Sequence, residues 1–166
     1  MHRGSFVFAD TTGSIDFNSS TANEFSIRAS GGTRVFSNPT LTIGVTLAAG
    51  AGAWVAVSDS AVKRNFRLVD EFEVLEKVAN LPISRWSHES QSEDIEHIGP
   101  MAQDFYAAFG LGEDERGICT IDPDGVSLAA IKALYQENKK MKEQFNLLQA
   151  EMIKLLEKLD DMESKK

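Results

Sequence analysis

Val57-Ser58-Asp59-Ser60-Ala61-Val62-Lys63 is the stretch on which the reading of this 166-residue chain turns. Upstream of it, residues 1–57 are rich in Gly, Ser and Thr, and their apolar residues come in short alternating runs. Downstream, the chain becomes charged and its apolar residues recur at helical spacing. A β-rich segment followed by a mostly helical one predicts an α+β chain. At the junction Ser58 and Lys63 stand five residues apart, the two side chains that a serine nucleophile and a lysine base would supply. By residue type alone the same pair also reads as a helix cap and a solvated charge.

On the upstream side, Phe6–Ala9, Ile15–Phe17, Phe25–Ala29, Val35–Phe36 and Leu41–Leu47 read as strands. Thr11-Thr12-Gly13-Ser14, Asn18-Ser19-Ser20, Gly31-Gly32 and Asn38-Pro39 are the turn material between them. So short a set of strands buries little by itself. Intertwining three copies, as in a fibre stem, would cover the phenylalanines and remove exposed strand edges; a small independent β-domain is the other reading. Residues 35–58 carry no charge and match a membrane span in length. Pro39, Gly44, Gly50 and Gly52, together with the alternation of Leu41, Ile43, Val45 and Leu47, instead make them a β-segment. No basic region followed by an apolar core opens the chain, so a signal peptide is not expected. The abrupt start in β-like sequence suggests a piece of a longer protein.

On the downstream side, Phe72, Leu75, Val78 and Ala79 share one face of a helix that begins after Asp70 and stops before Pro82. Ile83–Ser87 reads as a strand anchored by Trp86, residues 88–94 as an exposed loop, and Ile95–Ile98 as a second strand. Pro100 suits the first position of a helix whose Met101, Phe105, Ala108 and Phe109 face a core. After the acidic loop Glu113–Gly117, Cys119-Thr120-Ile121 reads as a third strand closed by the turn Asp122-Pro123-Asp124-Gly125. Last come Ile131, Leu134, Asn138, Met141, Phe145, Leu148, Met152, Leu155, Leu159 and Met162, stepping alternately by 3 and 4 residues. A 3.5-residue repeat of this length is a coiled-coil seam with Ile131 at position a. Phe and Met at a do not favour two strands, and Asn138, the polar seam residue, sets register at a cost in stability.

Three blocks make residues 58–166 similar to a known family. Ser58-Asp59-Ser60-Ala61-Val62-Lys63 runs into Asn65-Phe66; His97-Ile98-Gly99-Pro100-Met101-Ala102-Gln103-Asp104-Phe105 follows; Asp124-Gly125-Val126-Ser127-Leu128-Ala129-Ala130-Ile131-Lys132-Ala133-Leu134 completes the set. In content and order they resemble the C-terminal intramolecular chaperone and self-processing domain of phage endosialidases, tail spikes and tail fibres, a domain also found in myelin regulatory factor. Ser60 and Ala61 depart from the pattern, where longer polar residues are expected. The resemblance implies that the chain breaks between Val57 and Ser58, with Ser58 and Lys63 in the catalytic positions. It also implies three strands in a parallel coiled coil, hence a homotrimer. The expected parts are a β-rich fibre stem over 1–57, a self-processing chaperone domain over 58–125 and a coiled-coil helix over 126–166.

A serine hydroxyl attacks only when a base takes its proton, and a lysine is a base only after losing its own. A free lysine titrates near ~10.4, so such a dyad needs burial on assembly to disfavour the ammonium. If Ser58 attacks the carbonyl of its own preceding peptide, proximity drives the step, the resulting ester is hydrolysed, and no cofactor is needed. Asp59 fits a cap for the following turn or an orienting group for the dyad. His97 fits a structural histidine or a supporting group. Asp122 and Asp124 have the look of a metal loop, but the EF-hand glutamate is missing and no zinc spacing occurs, so no metal is expected. The lone Cys119 cannot form an intrachain disulfide and reads as a small buried apolar residue.

The net charge of −8 lies wholly in residues 58–166, because Arg3, Arg28 and Arg34 cancel Asp10, Asp16 and Glu24 upstream. An acidic downstream part is no partner for nucleic acid, and no membrane partner is expected. These readings converge on a trimerisation chaperone for a fibre or spike body that releases itself by a single autoproteolytic cut. The alternative is a non-cleaving structural trimer cap or receptor-binding tip. The expected partners are two further copies of the chain and the N-terminal fibre body. The expected location is a virion tail fibre or a bacterial cell surface, with assembly in the cytoplasm for a phage protein.

Overall fold

The computed structural model describes residues 2–164. It is a mixed α+β chain that divides into two compact units, Met1–Phe66 and Arg67–Lys166.

In the first unit, β1 (Phe6–Ala9) and β2 (Phe25–Arg28) pair in parallel, from Phe6 opposite Phe25 to Ala9 opposite Arg28. Arg28 fastens the connection between them: its guanidinium donates to the carbonyls of Ile15 and Asp10 and lies 5.7 Å from the Phe17 ring centre. That is why Ile15–Phe17, expected as a strand, is not one, since a side chain takes the place of a neighbouring strand. The Asp10 carboxylate in turn accepts from the amide and hydroxyl of Ser30, and Glu24 does the same for Ser20.

A second sheet orders β3 (Thr33–Phe36), β4 (Gly44–Leu47) and β5 (Val55–Ala56) as an antiparallel set. Strand β4 starts later than the alternation of Leu41, Ile43, Val45 and Leu47 suggests. The Asn38 side chain captures the amides of Thr42 and Ile43, both at 3.0 Å. Leu41 is turned to a left-handed φ of 57°, a conformation that a bulky residue adopts only under constraint. Asn38 thus organises a loop where periodicity alone predicts strand. No apolar side chain among described residues 2–66 is buried; Phe6 and Phe25 stack 5.3 Å apart yet stay 59% and 68% exposed.

The second unit is built on α1 (Glu71–Asn80), β6 (Ser84–Trp86), β7 (His97–Gly99), α2 (Ala102–Phe109) and α3 (Ile121–Glu163). Asp70 caps α1 by accepting from the amides of Phe72 and Glu73, and Pro82 lies just beyond its end. β6 and β7 form an antiparallel hairpin, and Gly110 closes α2 at a left-handed φ of 62°, as glycine permits. α1 packs on the first turns of α3, where Val126, Ala130 and Ala133 are buried and Ala133 is wholly covered. The small side chains at 130 and 133 let the helices approach. A Glu71–Lys132 ion pair, a Gln136–Glu71 hydrogen bond of 3.3 Å and Lys140 over the Phe72 ring at 5.1 Å line the edge of that contact.

Several sequence expectations need correction here. Cys119-Thr120-Ile121 is not a strand and Asp122-Pro123-Asp124-Gly125 is not a turn, because α3 already begins at Ile121. Pro123 fits the first helical turn, where its missing N–H has no intrahelical partner to lose. Pro100 precedes α2, whose N-cap is Met101, and does not occupy the first helical position. Cys119 is exposed, and Ala79 is exposed on α1 instead of joining its packed face. The uncharged stretch 35–58 carries the end of β3, all of β4 and β5 and the loops between them, and no helix among the described residues is long and apolar enough to cross a membrane.

Hydrogen bonds from Ser30 hold the Asp10 carboxyl below its ordinary value of 3.8, and those from Ser20 lower that of Glu24. A depressed folded-state value contributes stability that is present above the unfolded value and is lost as pH falls through the folded one. The chain should therefore melt at lower temperature at about pH 2 than at about pH 5. Asp10→Asn should melt below wild type at pH 5, with the gap closing toward pH 2; a gap that is constant across this range would contradict the assignment.

Candidate active site

The junction is built from the end of one sheet and a single turn. β5 lies on β4 with Val55 opposite Thr46 and Ala56 opposite Val45, and the next amide, of Val57, donates to the Gly44 carbonyl at 3.0 Å. Position 44 must be glycine for β4 to lie this close to β3, since a Cβ there would run into the Val35 carbonyl oxygen and the Phe36 ring. Beyond Val57 the chain leaves the sheet. Asp59, extended at φ −73° and ψ 132°, caps a one-turn 3-10 helix over Ser60–Val62 by accepting from the Ala61 amide at 2.9 Å. Amides of Val62 and Lys63 close the turn on the carbonyls of Asp59 and Ser60 at 3.3 and 3.2 Å.

The turn brings the two candidate residues together. Lys63 Nζ donates to Ser58 Oγ at 2.6 Å, and both residues are exposed. Two residues on, Asn65 takes a left-handed φ of 59°, a conformation asparagine tolerates better than most residues. Neither the Gly44 anchor nor the Asn65 bend was read from the sequence, although an isolated glycine inside a strand signals close backbone approach.

His97 and the seam residues belong to the second unit. His97 belongs to the β6–β7 hairpin, where its ring sits 4.6 Å from that of Trp86 and 5.7 Å from that of His88, with a nitrogen 3.0 Å from Gln91 Oε1. These contacts all lie within the hairpin and its connecting loop. The ten seam residues from Ile131 to Met162, Asn138 included, are exposed along one stripe of α3. Among the described residues no group of three or more His, Cys, Asp or Glu gathers as a metal site.

Residues 58–110 match the family Peptidase S74, described as chaperone of endosialidase. The resemblance seen in the sequence therefore stands over that span, and with it an intramolecular chaperone domain. The match begins on Ser58 and ends on Gly110, the left-handed residue that closes α2. It takes in the first two sequence blocks, while the third, 124–134, lies beyond it. The family's name classes it with the peptidases. No curated protein and no solved structure matches the chain.

Gly44→Val should splay β4 from β3 and free the Val57 amide. Hydrogen exchange at Val57 should then quicken by about fivefold or more, as expected for losing a bond worth ~1 kcal/mol. Unchanged exchange would show that the Gly44 carbonyl does not hold the strand end.

Proposed function

We propose that the chain is a homotrimerisation chaperone for a fibre or spike body and that it releases itself by cutting between Val57 and Ser58. The observation that carries this reading is the 2.6 Å contact of Lys63 Nζ with Ser58 Oγ, at the first residue of the matched segment. Lys63, once neutral, takes the hydroxyl proton as Ser58 Oγ attacks the Val57 carbonyl carbon. The bond from that carbon to the Ser58 nitrogen breaks, the nitrogen leaves as an amine carrying the proton, and an ester joins Val57 to the Ser58 oxygen. Water then hydrolyses the ester to the Val57 carboxylate and restores the hydroxyl. The hydroxyl sits one residue from the carbonyl it attacks, so the gain is one of proximity.

Three features support assembly of identical chains as the trigger. Residues 2–66 bury no apolar side chain of their own. The α3 seam is exposed from Ile131 to Met162. In a parallel, in-register coil the flanking charges also agree: Glu137 faces Lys142 and Lys158 faces Glu163 of the neighbouring copy, at the positions that set orientation. Pairing long β-segments from separate chains costs ordering entropy before any contact offsets it, whereas a coil forms through local contacts and holds the stems in register. Neighbouring copies packed over the exposed dyad would remove it from water, which favours the neutral amine a base requires. A phage tail fibre is the setting that fits the matched family.

The rival reading is a cap of the same fold with a silent dyad, and an intact mass of fresh protein separates the two. Self-cleavage gives the pieces 1–57 and 58–166; a silent cap gives one chain. Ser58→Ala and Lys63→Ala should each leave a full-length trimer, and a Lys63→Ala protein that still splits after Val57 would remove lysine from the mechanism.

Ending the chain at Asn138 should abolish cleavage although Ser58 and Lys63 remain, because most of the seam is gone. Once cut, the stem loses its registering partner, so its unfolding should be effectively irreversible. Denaturing and diluting the cleaved protein beside Ser58→Ala should recover trimeric stem from the uncut variant alone. Equal recovery from both would defeat the chaperone role even with the protease role intact.

A further inference from the structure

We propose that Asp59 is a positioning residue for the dyad: by capping the turn Ser60–Val62 it fixes the bend that returns Lys63 to Ser58. The proposal rests on the self-cleavage reading and names what holds its two reacting groups in place. Five residues of extended chain reach about 17 Å, so a 2.6 Å contact between the side chains of residues 58 and 63 requires the backbone to double back. The doubling back is one 3-10 turn of three residues, with extended backbone at Asp59 before it and at Lys63 after it. None of its residues is buried, so packing within the chain does little to hold it. Its own hydrogen bonds do, and the two backbone bonds are long, at 3.3 and 3.2 Å. The shortest is the cap, from the Ala61 amide to Asp59 Oδ1 at 2.9 Å.

The upstream side is fixed independently. Ala56 pairs with Val45, and the Val57 amide donates to the Gly44 carbonyl, so the carbonyl to be attacked is carried at the end of a held strand. Ser58 joins the two frames. Loss of the cap would leave the carbonyl in place and let the base drift from the hydroxyl. Asp59 need touch no reacting atom to affect the rate. Asparagine caps as well as aspartate does and alanine does not, so the conservative variant separates capping from charge.

The test follows first-order cleavage of the full chain after trimerisation in wild type, Asp59→Ala, Asp59→Asn and Ser58→Ala, across a range of pH. Asp59→Ala should trimerise and split more slowly by roughly 3- to 30-fold, the span a lost cap corresponds to. Asp59→Asn should stay within about twofold of wild type, with the rate profile at the same place on the pH axis. In the uncut Ser58→Ala background, exchange of the Ala61 and Lys63 amides should quicken on adding Asp59→Ala but not on adding Asp59→Asn. Wild-type rate or unchanged exchange in Asp59→Ala overturns the proposal. So does an Asp59→Asn protein as slow as Asp59→Ala with a displaced pH profile, which would make the carboxylate's charge the active feature. Splitting of Ser58→Ala at the same bond, or a wild-type trimer that never splits, sinks the self-cleavage reading itself and takes the proposal with it.

Discussion

No apolar side chain is buried between residues 2 and 66, and the ten seam residues of α3 all face solvent. The hydrophobic effect, the main favourable contribution to folding, is therefore left largely unsatisfied within one copy. What is buried is small: Phe105, Val126, Ala130 and Ala133. Val126, Ala130 and Ala133 lie where α1 packs on the start of α3, α2 rests on α1, and the seam is left free. The first unit depends instead on polar clamps, with Arg28 and Asp10 closing the β1–β2 connection and Asn38 closing the β3–β4 loop. Such clamps fix geometry but contribute little net stability in water. On the proposed reading, further copies of the chain cover what one copy leaves exposed.

The site follows the same division. The Val57 anchor, the Asp59 cap and the Lys63–Ser58 contact all arise within one chain, from residues 44–63. Ser58 and Lys63 are nevertheless both exposed. On the proposed reading, geometry and desolvation are thus separate requirements, and the contact within one copy bears on the first alone.

Elements punctuated by strong local signals were legible in the sequence. Asp70 and Pro82 bracket α1, Phe25–Ala29 gives β2 to within one residue, and the heptads from Ile131 lie in one unbroken helix. Failures came where a side chain competes with backbone pairing. Arg28 takes the carbonyl of Ile15, and Asn38 takes the amides of Thr42 and Ile43, so apolar alternation at both places overstates the strand. Asp122-Pro123-Asp124-Gly125 misled for another reason: the residues that make a good turn also make a good first helical turn, and the choice falls to the packing of Val126. At the site the spacing of Ser58 and Lys63 was readable, whereas the Gly44 contact that holds Val57 depends on strand register, which no local pattern encodes.

The two faces of α3 are neighbours and do not overlap. Ala130 and Ala133 turn to α1, while Ile131 and Leu134 remain exposed beside them. A lone chain can therefore finish its own helical packing without hiding the stripe that runs from Ile131 to Met162. On the proposed reading, the waiting time before the cut is set by how often three finished chains collide, a quantity that rises steeply with their local concentration. The broken bond would then record crowding at the place of synthesis: chains made close together mature, and chains made far apart stay whole.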